Sequence, residues 1–272
     1  MDPLYLIEKE GRRRGLSERT ISSYCYCVRK FMQFCRKEPR KVRKQDILDY
    51  LDHLVARGLS GSTLNINLNA LKFLQQEILC KRILLRVKFS KRPKQMPIVL
   101  SKAEVVKLFA AVENPKHKLM IKLMYSAGLR LSELVNLKVE DIDFDMGVGW
   151  VRKGKGRKDR PFVLARSLAH ELSEHIKECG SWLFEGRNKR HIHARCIQEI
   201  VKRAAKKAGI KKNVHPHSLR HSFATHLIEN GYSVSNVQAL LGHNSPQTTM
   251  VYVHIAKPKM LNIVSPIDRL CS

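Results

Sequence analysis

The chain has 272 residues, 51 of them Lys or Arg and 24 Asp or Glu, giving a formal net charge of +27 on a hydrophobic fraction of 43%. The length suffices for one large or two modest domains with real cores, and the apolar content excludes a disordered basic tail. The cation excess runs through both halves, which argues against an ordinary metabolic enzyme surface and implies a polyanionic partner, either a nucleic acid or an anionic membrane.

The opening MDPLYLIEKEGRRRG carries charges where a secretory signal needs an apolar run, and no segment approaches the roughly 18 apolar residues of a membrane span. A soluble interior protein without a membrane partner is expected. After the polar start Leu16-Ser17-Glu18-Arg19-Thr20, residues Ile21, Tyr24, Cys25, Val28, Phe31 and Met32 recur at helical spacing. A second helix is predicted over 46–55, on Ile47, Tyr50, Leu51 and Leu54. A third follows the turn Gly58-Leu59-Ser60-Gly61-Ser62, with Leu64, Leu68, Leu71, Leu74 and Ile78 on one stripe. Residues 1–80 therefore read as an all-α bundle.

Residues 81–97, KRILLRVKFSKRPKQMP, contain cations and no acid. This basic, proline-punctuated strip is either a solvated tether or a linker lying along phosphates, with Lys88, Lys91, Arg92 and Lys94 as candidate DNA contacts. Ser101-Lys-Ala-Glu104 is a capping box that opens a second domain, and a longer apolar helix over 119–126 ends at Gly128. Past Leu137 the period changes to two. DIDFD, VGWVRKG and RPFVLA, separated by turns at Met146-Gly147 and Lys155–Asp159, read as a three-stranded antiparallel meander. Helical patterns return over 166–178, 195–208, 217–230 and 233–242. Seven cysteines, an odd number without a CxxC pair, argue against a disulfide framework and a zinc ribbon.

Three chemistries compete for the polar residues. Gly149 to Gly156, GWVRKGKG, nearly spells a phosphate-binding loop, but Gly156 stands where Ser or Thr must ligate magnesium, and the segment joins two strands. What remains is Lys155 on a glycine-flanked hairpin, beside Arg157 and Lys158. His215, His217, His221 and His226, with His191, His193 and Cys196 upstream, suggest a metal. The acidic ligands that normally complete such a site are missing, HExxH is absent, and Arg220 beside His217 repels a dication while welcoming a phosphate. No metal and no cofactor are expected. Phosphate chemistry fits better: Arg130 at a helix break has Glu133 one turn on to orient it, although that pair alone could be an ordinary surface ion pair and Tyr252 alone a packing tyrosine.

Arg130 in YSAGLRLSELVNL, Lys155 in GKGRKDR, His217 and Arg220 in HSLRHSFATHL, His243 in LLGHNSPQTT and Tyr252 in TTMVYVH together resemble the complete motif set of the tyrosine recombinases, the phage-integrase and Xer family. GLSxxTxxxY near the start is similar to that family's core-binding domain. The resemblance implies a SAM-like helical core-binding domain over 1–80, a basic linker over 81–100 and a mainly α catalytic domain with a small three-stranded sheet over 101–254. It makes 255–272, broken by Pro258 and Pro266, a docking segment for a neighbouring subunit. It further implies metal- and ATP-independent transesterification of duplex DNA. Tyr252 would be the nucleophile, Arg130 and Arg220 would grip non-bridging oxygens, Lys155 would protonate the leaving 5′-oxygen, and His217 and His243 would share proton acceptance and phosphate donation. The implied partners are a specific DNA site clamped between two domains and a homotetramer on two duplexes, in a cytoplasmic, nucleoid-associated protein. Within the family, Xer-like resolution of chromosome dimers competes with integration and excision by a mobile-element or integron-type integrase. Outside it stand a type IB topoisomerase-like enzyme and a catalytically silent DNA-binding protein.

Overall fold

The computed structural model describes residues 2–81, 96–152, 159–242 and 246–255. The chain divides into two compact units, Met1–Gln95 and Met96–Ser272. The division falls in the basic strip, whose Lys88, Lys91, Arg92 and Lys94 lie outside the described residues, as do Lys155, Arg157, Lys158, His243 and the tail beyond 255.

The first unit is helical throughout its described length: α1 (Pro3–Arg13), α2 (Glu18–Cys35), α3 (Lys44–Ala56) and α4 (Gly61–Lys72), which runs on into a π-helical turn, Phe73–Ile78. Both helix starts are capped: Ser17 Oγ accepts from the Thr20 N–H at 3.1 Å and Ser60 Oγ from the Thr63 N–H at 3.3 Å, satisfying amide donors that a helix start leaves orphaned. Ile21, Val28 and Phe31 of α2 pack with Ile47 and Leu54 of α3 and Leu68 and Leu71 of α4, the stripes read from the sequence. The sequence reading assigned no element to α1. Its mean character is polar, and it is set by Asp2, which accepts from the Leu4 N–H at 2.9 Å, by Pro3 in the first turn, and by burial of Ile7 in the bundle.

The second unit has α5 (Lys102–Ala110), α6 (Pro115–Ser126), α7 (Leu131–Val135), β1 (Ile142–Asp143), β2 (Val148–Val151), β3 (Arg160–Val163), α8 (Arg166–Lys177), α9 (Ala194–Lys207), α10 (Pro216–Glu229), α11 (Val234–Leu241) and α12 (Pro246–Ile255). The capping box at Ser101 and Glu104 forms in both directions, at 3.2 and 2.7 Å. The strands make one antiparallel sheet in the order β1-β2-β3, with Val148 opposite Val163 and Val151 opposite Arg160. Pro161 is tolerated because β3 is an edge strand, where a missing amide costs no ladder bond on the outer side.

Helix α6 is the axis of this unit. Leu119, Met120, Ile121, Leu123 and Met124 are all buried, so the helix is surrounded, and the main core gathers Leu108, Phe162, Leu172, Val201 and Leu219 about it. A smaller apolar cluster, Ala224, Val237, Leu241 and Tyr252 with Phe223, joins α10, α11 and α12. The chain leaves α6 through Gly128, whose φ of +58° ends the helix. A Cβ there would lie 2.4 Å from Phe223 Cδ1. Gly128→Ala therefore meets both a left-handed backbone and a filled site, and it is expected to destabilise the fold by about 2–4 kcal/mol, read as a lowered urea midpoint at unchanged slope.

Candidate active site

The site lies where α6, α7, β3, α10 and α11 converge, and its centre is one carboxylate. Glu133, in the first turn of α7, accepts from the backbone N–H of Arg130 at 2.9 Å, so the residue that starts the helix also anchors the side chain that begins it. The same carboxylate takes Arg130 Nη1 at 2.6 Å and Arg160 Nη2 at 2.7 Å, and Arg220 Nη1 stands 3.6 Å away. Only 3% of the Glu133 and Arg220 side chains is exposed, against 18% for Arg130. Three guanidinium groups thus share one largely buried anion.

Helix ends supply the remaining acceptors. Arg220, on α10, donates from Nη1 to the Gly128 carbonyl and from Nη2 to the Leu241 carbonyl, each at 2.6 Å. Arg160, at the start of β3, donates to the Leu240 carbonyl at 2.6 Å. The last carbonyls of a helix have no partner within it and carry the negative end of the helix dipole, so the C-terminus of α11 is a natural seat for cations, while Gly128 lies just past the end of α6. Gly242 ends α11 at φ +59°, and a Cβ on it would lie 2.7 Å from Arg160 Cδ. Arg160 Nε is buried and has no hydrogen-bond partner among the described residues.

Burial pushes the Glu133 carboxyl up, but Arg160, the Arg130 amide and the Arg130 guanidinium outweigh it, and its pKa falls below the usual range. Arg220 is pushed down to about 9 by burial and by Arg130, against the attraction of Glu133, and is still cationic at neutral pH. The carboxylate does not cancel the local positive charge, which suits the place to a further anion.

Tyr252, on α12, closes the apolar side. It is 3% exposed, and its hydroxyl lies 3.0 Å from His221 Nδ1, on α10. Burial raises the phenol's pKa, while Arg220 and Arg130 oppose the rise. His217 is one turn before His221, with ring centroids 6.2 Å apart, and His215 is a further 6.3 Å along. Partial desolvation lowers the His217 pKa, with His215, Arg220 and Arg130 adding to it. Among the described residues no group of His, Cys, Asp or Glu is arranged to hold a metal ion.

The structure thus brings together Arg130, Glu133, His217, Arg220 and Tyr252, while Lys155 and His243 lie outside the described residues. Sequence reasoning missed Arg160 and named His221 only as a possible metal ligand. Arg160 was legible as the one charge among the alternating inward positions Arg160, Phe162 and Leu164. His221 was legible as the residue four after His217, on the same helical face.

Comparison with known proteins places the chain in a family. The phage integrase family model matches residues 98–259, and the model of the phage integrase N-terminal SAM-like domain matches 6–84. The chain belongs to the tyrosine recombinases of the phage integrase family. It is 36% identical to tyrosine recombinase XerA of Pyrococcus furiosus over 265 residues, covering 94% of this chain and 90% of that protein. An integrase/recombinase of Escherichia coli is 33% identical over 302 residues, covering 93% and 89%. The crystal structure of XerA recombinase matches with a TM-score of 0.55 at 30% identity, over 93% of this chain and 92% of that one. XerH, solved on its difH substrate before cleavage, shares the fold with a TM-score of 0.74 at 22% identity, over 93% of this recombinase and 82% of XerH.

Removing Glu133 would leave two buried cations, Arg160 and Arg220, and the half-buried Arg130 without their carboxylate. Glu133→Ala is expected to cost about 3–5 kcal/mol in equilibrium unfolding. A second expectation concerns acid. The pKa of His221 is depressed from its ordinary 6.5 to about 4, by burial first and then by His217, His215 and Arg220. Folding therefore favours the neutral ring, and its contribution is complete above about 6.5 and is lost as pH falls toward 4. His217 and His226, also depressed, add with the same sign. Denaturant midpoints should fall across that window, and less steeply in His221→Leu.

Proposed function

We propose that this recombinase cuts and rejoins duplex DNA at a specific site through a phosphotyrosyl intermediate on Tyr252. The observation that carries the reading is a nearly buried phenol at the edge of a site with three guanidinium groups and a single carboxylate. A phosphodiester supplies the missing negative charge. As the phenolic oxygen bonds to phosphorus and the 5′-oxygen departs, charge grows on the non-bridging oxygens, where Arg130 and Arg220 would stabilise it. Phenol loses its proton with a pKa of about 10, so attack at neutral pH needs this cationic field and an acceptor.

In this reading Lys155 protonates the leaving 5′-oxygen, His217 and His243 divide proton acceptance and phosphate donation, and Glu133 orients Arg130. The 3′-phosphotyrosyl ester keeps the energy of the broken bond, so a 5′-hydroxyl from a partner duplex can reverse the step without a nucleotide. Residues 1–80 would bind the duplex as a core-binding domain and 101–254 would carry the chemistry. The linker over 81–100, with Lys88, Lys91, Arg92 and Lys94, and the hairpin residues Arg157 and Lys158 would contact phosphates. A tetramer on two duplexes, docked through 255–272, and resolution of chromosome dimers in the cytoplasm are the finer parts of the proposal. The tyrosine recombinase XerA among its relatives favours a Xer-like role, and the integrase/recombinase of Escherichia coli fits the alternative of integration or excision. No helix among the described residues is long and apolar enough to cross a membrane.

Incubation with a nicked suicide duplex in EDTA is expected to trap a covalent protein–DNA adduct. The adduct should vanish in Tyr252→Phe, and its formation should slow by about 100- to 1000-fold in Arg130→Ala. An adduct that persists in Tyr252→Phe would reverse the assignment of the nucleophile, and one lost on chelation would reverse the metal-free reading.

A further inference from the structure

The motif set places His217 and His243 around the nucleophile, yet among the described residues another imidazole, His221, lies within hydrogen-bond distance of the phenol. His221 Nδ1 is 3.0 Å from the Tyr252 hydroxyl, and the two rings lie with centroids 5.7 Å apart and planes tilted by 46°. The residues come from different helices, α10 and α12, both of which feed the small apolar cluster that contains Tyr252. His221 is itself only partly exposed.

Resting on the reading of Tyr252 as nucleophile, we propose that His221 is a positioning residue for strand cleavage: its neutral ring accepts the Tyr252 hydroxyl hydrogen at Nδ1 and so fixes the direction of the attacking oxygen. A phenol has a single rotatable hydrogen. Once that hydrogen is committed to His221, the oxygen's lone pairs, which form the bond to phosphorus, are aimed away from the imidazole.

The surroundings keep the ring an acceptor. His217 and His215 run along the same face, Arg220 lies one residue before it, and Tyr252 is its partner from α12, so no carboxylate stands among these neighbours to favour a second proton. The depressed pKa agrees with that, and it separates two tasks. A base this weak holds the phenol without taking its proton, so the nucleophile stays neutral and aimed until a phosphate and a stronger acceptor are in place; the hydrogen then leaves His221 for that acceptor as the oxygen bonds to phosphorus and the 5′-oxygen departs. Geometry and proton transfer then fall to different histidines.

Two substitutions distinguish this role from packing. In His221→Asn the amide Oδ1 would lie near the position of the imidazole Nδ1 and could still accept, whereas the leucine of His221→Leu fills space and accepts nothing. In single-turnover cleavage of the nicked suicide duplex, His221→Leu is expected to slow adduct formation by roughly 10- to 100-fold. Its affinity for the intact duplex should be unchanged, and His221→Asn should recover most of the rate. Equal rates for wild type and His221→Leu would overturn the proposal, as would a His221→Asn as slow as His221→Leu. Should His221→Leu not fold, ¹⁵N-histidine spectra of the full-length protein decide. They should show His221 protonated at Nε2, with an Nδ1 signal that moves in Tyr252→Phe; protonation at Nδ1, or a signal indifferent to that substitution, would overturn it. Wild type and Tyr252→Phe are assayed alongside. An adduct that survives in Tyr252→Phe removes the nucleophile and this inference together, while a Tyr252-dependent adduct with unimpaired His221→Leu removes this inference alone.

Discussion

One carboxylate organises the catalytic unit. Arg130, Arg160 and Arg220 come from a loop, a strand and a helix, and nothing in their own elements would bring three like charges together. At an effective dielectric near 20, two unit charges 4 Å apart repel by about 4 kcal/mol, so such a cluster exists only if something holds it. Glu133 contacts all three, directly or at 3.6 Å, from inside the fold. The C-terminal carbonyls of α11 and the Gly128 carbonyl just past α6 take up further guanidinium hydrogens. The balance still leaves net positive charge beside the solvent-accessible Arg130, where a phosphodiester would complete it.

The Tyr252 side of the site is built on the opposite principle. Tyr252 is seated among Ala224, Val237 and Leu241, and its environment holds the phenol in its protonated form. Burial works against ionisation and the two nearer arginines work for it, so the phenol is balanced between an apolar seat and a cationic field. His221 settles the orientation of the hydroxyl within that balance. The two halves meet at α10, which contributes Arg220 to one and His221 to the other on consecutive residues.

Much of this was written in local sequence. Ser17, Ser60, Ser101 with Glu104, and Gly128 mark element boundaries because their chemistry acts within a turn or two, and the boundaries read at residues 16–20 and 58–62 and at Ser101 and Gly128 all form. Arg130, Glu133, His217, Arg220 and Tyr252 could be grouped from the sequence because each belongs to a distinctive short motif, and the structure places the five near one another. What escaped were relations across the chain. Arg160 is 27 residues from Glu133 and 80 from Leu240, and its partner there is a main-chain carbonyl that no residue letter signals. His221 was visible only as one histidine among several, because its meaning depends on where α12 folds back. Helix α1 escaped for another reason: its stability comes from one cap and from Ile7 in a core built by other helices.

The seats of Arg220 and Arg160 have a consequence for how such a site tolerates change. Their acceptors on Gly128, Leu240 and Leu241 are peptide oxygens, which every residue type carries alike. Side chains on the last turns of α6 and α11 can therefore drift without taking an acceptor from the arginines, provided the two helices still end where they do. That condition rests on Gly128 and Gly242, the residues whose left-handed backbones stop the helices. The main-chain half of the arginines' support thus depends on two glycines that carry no functional group at all.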